Sequence, residues 1–342
     1  MKKYLVALMV LCFLCLGYTP PAEAGLISQA QEIAMGREVA AQLEAQYGLV
    51  QDEELQARVE RIGQRLVAVC DRRDLTYSFK VLNCDEVNAM AVPGGFIYVY
   101  KGLLDFMPSD DELAGVLGHE VGHIVERHSV HQVEKQLALT LLTLIASRGE
   151  GFILATTAMQ ALMAGYSRSD EREADEQSFL LTNKAQFNPY SSLVTVSKLQ
   201  DLAEEAGNPG YGLFSSHPEP EKRIERVTEQ LAKLQIKPVV TVAADGTATV
   251  TDGKWQFALT KTVGSDKPAY RAKLMAGALY LAKKRGPVDE TRFLTVDGAT
   301  YADIYYDDLH VLRVYDADAL GVSSVSDYAG QLAGHLQTWA LQ

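Results

Sequence analysis

An H-E-x-x-H motif, His119-Glu120-Val121-Gly122-His123, lies inside a segment with helical periodicity. Residues four apart share one face of a helix, so the imidazoles of His119 and His123 can reach a single metal ion. Glu120 lies beside them and is placed to take a proton from a water on that metal. The motif is therefore typical of a zinc peptidase, in which His119 and His123 bind the metal and Glu120 is the catalytic base.

The residues around the motif predict an amphipathic helix of roughly 18 residues. Ser109 and Glu112 form a capping box, and acidic residues fill the first turn, so the helix begins here. Apolar residues then recur at helical spacing: Leu113, Val116, Leu117, Val121 and Ile124. Three glycines, at 115, 118 and 122, each cost about 1 kcal/mol in a helix. We expect them to permit close approach of another backbone or of a substrate.

A catalytic zinc needs a third protein ligand and one open coordination position. The metzincin pattern would need Gly at 126 and His at 129, but the chain has Glu126 and Ser129, so that pattern fails. In the gluzincin pattern a Glu from a later helix is the ligand, and the charged segment 167–175 offers candidates. Glu171 and Asp175 are four residues apart, so one can bind the metal while the other holds a ligand histidine.

Three motifs, in this order along the chain, resemble the HtpX-like and CAAX-prenyl-protease-type zinc metallopeptidases, with the likeness closest to the soluble periplasmic members. The likeness covers roughly residues 27–235 and rests on three segments: Asn88–Gly95, His119–His123 and the E-x-x-A-D pattern at 171–175. In one departure, Ser178 stands where the family usually has Gly. We expect that difference to affect helix packing more than chemistry.

The resemblance also implies roles for single residues. It assigns the third zinc ligand to Glu171 rather than Glu173, and it makes Asp175 a supporting residue. It includes a His-Pro at His217 followed by Arg223. His217, on a loop near an open zinc, could cap the metal or steady the oxyanion of the tetrahedral intermediate, and Arg223 is a candidate for the same two roles. Both roles stay open.

The sequence also predicts where a substrate binds. The Pro-Gly-Gly that ends the segment Asn88–Gly95 opens a turn, and Phe96–Tyr100 follows as a strand. An exposed edge strand can hold an extended peptide by main-chain hydrogen bonds, and neighbouring glycines permit close approach. The resemblance implies that this strand is the substrate-binding edge, formed by Asn88, Gly94, Gly95, Phe96, Ile97 and Tyr98.

The N-terminus has the pattern of a signal peptide. Two lysines and a short apolar run precede an A-x-A sequence that ends at Ala24, so residues 1–24 are the predicted leader. The run is too short and wrongly flanked for a membrane-spanning helix. We expect an exported, periplasmic protein, in which Cys70 and Cys84 are a candidate disulfide pair.

The mature chain predicts an α+β protein with two domains. Residues 25–236 form a mainly helical, zincin-type catalytic domain with a small sheet, and residues 237–342 form a small α+β domain without a catalytic constellation. The second domain is expected to bind a substrate or partner, or to act as a structural cover. An apolar stretch has two parts, residues 137–146 and 152–166, which we expect to be buried helices. The alternative is a hydrophobic hairpin that contacts a membrane or the substrate.

The predicted function is zinc-dependent cleavage of extended polypeptide, with one Zn²⁺ per chain. A net charge of −12 without a basic cluster argues against nucleic acid as a partner. The resemblance implies misfolded envelope or outer-membrane proteins as substrates. The alternative is a chaperone-like envelope assembly factor whose zinc site is mostly latent. Oligomeric state, and peripheral contact with a membrane or an envelope complex, stay open.

Overall fold

The structure, a computed structural model, describes residues 25–147, 159–160, 164–208, 210–217 and 220–342, and only the backbone of 139–147 and 220. Two helices come first. Helix α1 (Gln29–Tyr47) begins at a capping box formed by Ser28 and Gln31. Helix α2 (Glu53–Val67) begins at Asp52, whose carboxylate accepts hydrogen bonds from two backbone N–H groups of the first turn. The predicted start at Asp52 is therefore confirmed.

A three-stranded sheet follows, built from β1 (Ser78–Leu82), β2 (Ala89–Val92) and β3 (Phe96–Tyr100) in the order β1-β3-β2. Strand β3 pairs parallel with β1 and antiparallel with β2. The prediction that Phe96–Tyr100 is the edge strand is therefore wrong. The tight turn before β3 folds β2 against one side of it, and β1 takes the other side, so β2 lies at the edge.

The two glycines of that turn serve chain packing. Gly94 and Gly95 both have positive φ, at 82° and 96°. A Cβ on Gly94 would lie 2.8 Å from the Cα of Ile33, and one on Gly95 would lie 2.7 Å from the carbonyl oxygen of Thr76. These glycines therefore fit the turn against α1 and against the chain before β1, and they do not border an open strand edge.

The H-E-x-x-H helix lies at the centre of the first core. The helices of this region are α3 (Lys101–Phe106), α4 (Asp110–Val125), α5 (His128–Ser147), α6 (Arg168–Lys184) and α7 (Ser191–Glu205). Helix α4 carries the motif, is buried along almost its whole length, and packs against α2, α6 and α7. The predicted capping box of Ser109 and Glu112 begins it.

The glycines of α4 bring these helices close, as the sequence predicts. A Cβ on Gly115 would lie 3.0 Å from the carbonyl oxygen of Ser191 in α7. One on Gly122 would lie 3.0 Å from the carbonyl oxygen of Ala174 in α6. Ser178 of α6 donates a hydrogen bond of 2.9 Å to the carbonyl oxygen of Gly115, so its side chain serves helix packing.

Helix α8 (Pro220–Lys233) packs against α6 and α7. The chain after it forms a second core, whose elements are β4 (Val239–Val242), β5 (Ala248–Asp252), β6 (Trp255–Leu259), α9 (Pro268–Lys284), β7 (Phe293–Asp297), β8 (Tyr301–Tyr306), β9 (Leu309–Tyr315) and α10 (Val325–Ala340). Strands β4-β5-β6 and β7-β8-β9 form two antiparallel sheets. Both sheets and the helices α9 and α10 share one apolar cluster. The predicted α+β class is confirmed.

The structure does not form the candidate disulfide. Cys70 and Cys84 are both free. Cys70 is buried in the apolar cluster that contains α4, and its Sγ lies 3.9 Å from the hydroxyl of Tyr77. Cys84 packs in a separate apolar cluster, together with Tyr47 and Leu49. The two thiols therefore belong to different cores.

The predicted leader, residues 1–24, lies outside the described residues. Much of the predicted apolar segment 152–166 also lies outside them. Among the residues that the structure does describe, no helix is long and apolar enough to cross a membrane.

Replacing Gly115 with Ala should lower the free energy of unfolding by about 1–3 kcal/mol, because the new methyl group meets the backbone of α7. Gly334→Ala in α10 is the matched control. A Cβ there meets no atom within 4 Å, so this change should stabilise the helix by up to about 1 kcal/mol. Urea unfolding followed by circular dichroism measures both. A Gly115→Ala chain as stable as the native one would contradict the close packing.

The second core should lose stability in acid through Asp303. Burial opposes ionisation of this carboxyl, but Arg313 and His310, which both donate to it at 2.8 Å, lower its pKa to about 2. Because the folded pKa lies below the unfolded value of about 3.9, the carboxylate contributes about 2–3 kcal/mol above pH 4, and this contribution is lost as pH falls towards 2. Asp303→Asn should therefore destabilise the chain at pH 7 and much less at pH 2.5. A difference independent of pH would refute the assignment.

Candidate metal centre

Two helices bring three predicted metal ligands together. His119 and His123 project from one face of α4, and their Nε2 atoms lie 3.0 Å apart. Glu171 follows the capped start of α6 at Ser167, and its carboxylate oxygens lie 3.4 Å from each of these Nε2 atoms. All three side chains are buried. The close packing of α4 on α6 therefore assembles the predicted ligand set.

His217 adds a fourth donor atom. Its Nδ1 lies 3.1 Å from Nε2 of His119 and 2.8 Å from a carboxylate oxygen of Glu171. The four residues each offer one donor atom, and these four atoms all lie within 4.8 Å of one another. A tetrahedral zinc with bonds of about 2.0–2.1 Å has edges of about 3.3–3.4 Å, so the observed separations fit one small cation. The donor set, three imidazoles and a carboxylate, also suits zinc.

The protonation states of the ligands are set by burial and by neighbouring charges. Burial lowers the pKa of His123 well below its usual value. Burial opposes ionisation of Glu171, but the charges of His217 and Arg223 hold the pKa of that carboxyl well below its usual range. These forms of His123 and Glu171 are the ones that bind a metal. Burial and Arg223 oppose protonation of His119, but Glu171 and Asp175 raise its pKa to about 9, so a metal would have to displace a proton there.

Asp175 and Arg223 support the ligands from behind. Asp175 lies 3.2 Å from Nδ1 of His119, which leaves the other ring nitrogen of His119 for a metal. Arg223, from α8, donates to Asp175 at 2.9 Å, and its Nη1 lies 3.3 Å from Glu171. The position of Asp175 matches the supporting role predicted for it. Arg223 is not one of the four converging donors, but its Nη2 lies 3.5 Å from Nε2 of His119, so its predicted role as a cap or an oxyanion contact stays a prediction.

Glu120 is buried, and neither of its carboxylate oxygens has a hydrogen-bond partner among the described residues. Nε2 of His217 lies 3.7 Å from one of these oxygens. A buried carboxylate without a partner is costly, so its retention indicates a group that interacts with something that enters the site. Its place between the two histidines of α4 is suited to a general base.

Comparison with known families decides the identity of the chain. The model of peptidase family M48 matches residues 53–231, just over half of the chain, and this region contains all four donors and Glu120. The chain belongs to peptidase family M48. The HtpX-like and CAAX-prenyl-protease-type assignment within that family stays a prediction.

Several curated relatives are proteases by name. The chain is 31% identical over 182 residues to mitochondrial metalloendopeptidase OMA1 of Schizosaccharomyces pombe, which covers 52% of this chain and 54% of that one. It is 26% identical over 273 residues to the beta-barrel assembly-enhancing protease of Escherichia coli K12, and this match covers 72% of this chain and 55% of that protein. Metalloprotease YcaL of Escherichia coli K12 is 28% identical over 222 residues, 61% of this chain and 84% of that one. The chain thus spans about half the length of the first two relatives.

Two further residues, His128 and Tyr166, lie in this M48 site, and the sequence did not predict Tyr166 there. His128 is buried, with its Nδ1 2.9 Å from Nδ1 of His123, so it orients that ligand. Tyr166 stacks on His123 with the ring centroids 3.7 Å apart. His128 returns to the site because the chain turns at Arg127, where φ is 55°, and starts a new helix. Arginine rarely adopts a positive φ, so the sequence does not indicate this turn.

Two of the residues predicted to form the substrate-binding edge are buried in the protein. Ile97 is buried in the core, and the hydroxyl of Tyr98 donates to Glu44 at 2.6 Å, so neither faces a substrate. The free edge of β2 lies nearer the site, since the hydroxyls of Ser129 and Tyr166 both reach the carbonyl oxygen of Ala91 at 3.5 Å. Asn88 precedes β2, and its carbonyl oxygen accepts from the N–H of Tyr100. Phe96, at the start of β3, packs beside α1.

Proposed function

We propose that this M48 protein is an exported, zinc-dependent endopeptidase that cleaves extended polypeptide. The observation that carries the proposal is the convergence of His119, His123 and Glu171 beside the buried, unpartnered Glu120. A structural zinc site would use four closed ligands, often cysteines, and would have no use for such a carboxylate.

A role can be assigned to each side chain. When bound, zinc would polarise the scissile carbonyl and lower the pKa of the attacking water. Glu120 takes the proton of that water and returns it to the leaving amine. Asp175 and Arg223 hold His119 in the tautomer that leaves Nε2 free. The edge of β2 holds an extended substrate by main-chain hydrogen bonds.

The substrate and the compartment follow from weaker observations. An edge strand accepts only an extended segment, which favours unfolded or misfolded proteins as substrates. The predicted leader over residues 1–24 favours the periplasm, and the name of one relative refers to beta-barrel assembly. We therefore propose misfolded envelope proteins as the physiological substrates.

A second function is supported by His217. Its imidazole lies at the fourth corner of the donor group, which a catalytic zinc would need to keep open. A chain that keeps this corner filled would act mainly as a chaperone-like assembly factor with a latent site. The two functions differ in whether the chain hydrolyses bound polypeptide.

The test uses the mature chain, residues 25–342, with unfolded casein as substrate. We expect about one zinc per chain, cleavage of casein, loss of cleavage after treatment with a chelator, and recovery when zinc is restored. A chain without zinc affinity would overturn the metal assignment. Zinc binding without cleavage, even at long incubation, would favour the chaperone-like alternative.

A further inference from the structure

A large cleft lies away from the metal centre, where the second core meets the first. Its volume is about 610 Å³, within the range of ligand-binding pockets. One wall comes from β8, β9 and α9, and the other comes from α2, the start of α4 and residues 186–188. Nothing in the proposed reaction uses this cleft.

The sheet wall of the cleft is rich in tyrosine. Along β8 the side chains alternate, so Ala302, Ile304 and Tyr306 are buried in the core while Tyr301 and Tyr305 are half-buried and line the cleft. Arg313 lies over the ring of Tyr301 at 3.7 Å, and His310 contacts the ring of Tyr305. The rings are therefore held in place before any ligand arrives.

Most of the charges in the cleft are paired within the chain, although, among the described residues, Arg65 donates only to carbonyl oxygens and Asp111 accepts only from a backbone N–H. Its arginines donate to partners within the chain: Arg58 and Arg61 to Asp110, Arg65 to the carbonyl oxygens of Ala185 and Gln186, Arg271 to Asp318, and Arg313 to Asp303. The acidic side of the cleft is also paired, since Asp266 accepts from Lys198 and Tyr315. An anion or a metal cation would therefore have to displace existing ion pairs. The cleft favours a neutral ligand.

The groups left for such a ligand are phenols, rings and an apolar strip. The hydroxyls of Tyr301 and Tyr305 make no hydrogen bond with the described residues. On the same face of the sheet, β7 continues with Leu294 and Val296, which are 46% and 49% exposed. Tyrosine provides rigid, amphipathic contact area at low entropic cost, and tyrosine with arginine is typical of protein-binding surfaces.

We propose that this tyrosine-lined cleft is a second binding site for unfolded polypeptide, separate from the metal centre. Peptide groups can donate to or accept from the free phenols, and apolar side chains of the polypeptide can lie on the β7 strip. Asp110, which lines the cleft, begins α4, and His119 lies nine residues on, about 13 Å along the helix. Helix α4 is buried between these two points, so a bound chain has to pass around it and needs more than about four extended residues to reach the metal centre. The choice of polypeptide rests on the proposed function.

Binding is measured on the full mature chain carrying Glu120→Gln, so that no cleavage interferes. The ligand is fluorescein-labelled α-lactalbumin, reduced and carboxamidomethylated, which keeps it unfolded without adding a charge at each cysteine. The double change Tyr301→Ser and Tyr305→Ser should raise Kd at least about fivefold in fluorescence anisotropy. Val242→Ser is the control, because Val242 is exposed on β4, an edge strand of the other sheet, and this change should leave Kd unchanged.

Hydrogen exchange provides a readout that needs no substitution in the cleft. Unfolded α-lactalbumin should slow amide exchange in residues 301–315 of the Glu120→Gln chain. Unchanged exchange there, or a Kd within twofold in the folded double variant, would overturn the second site. If the native zinc-loaded chain cleaves nothing while these residues are still protected, the proposed proteolysis fails and the binding site stands.

Discussion

The Glu120→Gln chain should turn over unfolded casein about 10²–10⁴-fold more slowly than the native chain. Glutamine keeps the size and shape of the side chain but cannot accept the proton of the attacking water. Glu120 is not one of the four converging donors, so metal binding should be unaffected. The measurement is kcat for casein, together with zinc content of both chains.

Glu126→Gln is a suitable control for this change. Glu126 caps the same helix and accepts a hydrogen bond from Gln177, which a glutamine oxygen can also accept. The kcat of the Glu126→Gln chain should stay close to the native value. A Glu120→Gln chain that keeps a tenth or more of native kcat would rule out Glu120 as the base. Protection of client proteins that survives in the Glu120→Gln chain would indicate the chaperone-like function.

The features predicted well from the sequence depend on residues close together in the chain. Capping residues and hydrophobic periodicity are local, so they place the starts of α2 and α4 and the face that carries the two histidines. The glycines at 115 and 122 could be interpreted as contact points because a glycine in a helix is costly unless something approaches. Spacing alone allows either Glu171 or Asp175 as the third metal ligand, and only the family resemblance selects Glu171.

The features that were missed depend on contacts distant in sequence. Nothing local shows that β1 pairs with the far side of β3, and that pairing alone changes Phe96–Tyr100 from an edge strand to a central one. Tyr166 reaches His123 only through the tertiary fold, from 43 residues further along the chain. The cleft between the two cores exists only when both are folded and in contact. Local pattern cannot specify these arrangements.

His217→Ala should raise peptidase activity, because it removes the side chain that fills the fourth corner of the donor group. Two backbone hydrogen bonds hold the chain around His217 in this position. The N–H of His217 donates to the carbonyl oxygen of Leu213, and the N–H of Tyr166 donates to that of Ser216. If only about 1% of molecules have the corner open at equilibrium, freeing it would raise activity up to about 100-fold. The measurement is kcat for casein at saturating zinc, since loss of a donor should also weaken zinc binding.

His131→Ala is the matched control, since His131 is an exposed histidine of α5 away from the donor group, and its activity should stay native. A fall in the kcat of His217→Ala, with zinc still bound, would contradict the cap and favour contact with the oxyanion instead. The geometry favours the cap, because Nδ1 of His217 contacts two of the other donors, at 2.8 and 3.1 Å, and a hydrogen-bond donor to the oxyanion would have to leave that corner free. A capped site would keep proteolysis off until an extended substrate competes for the corner, which suits a protease acting among folded neighbours.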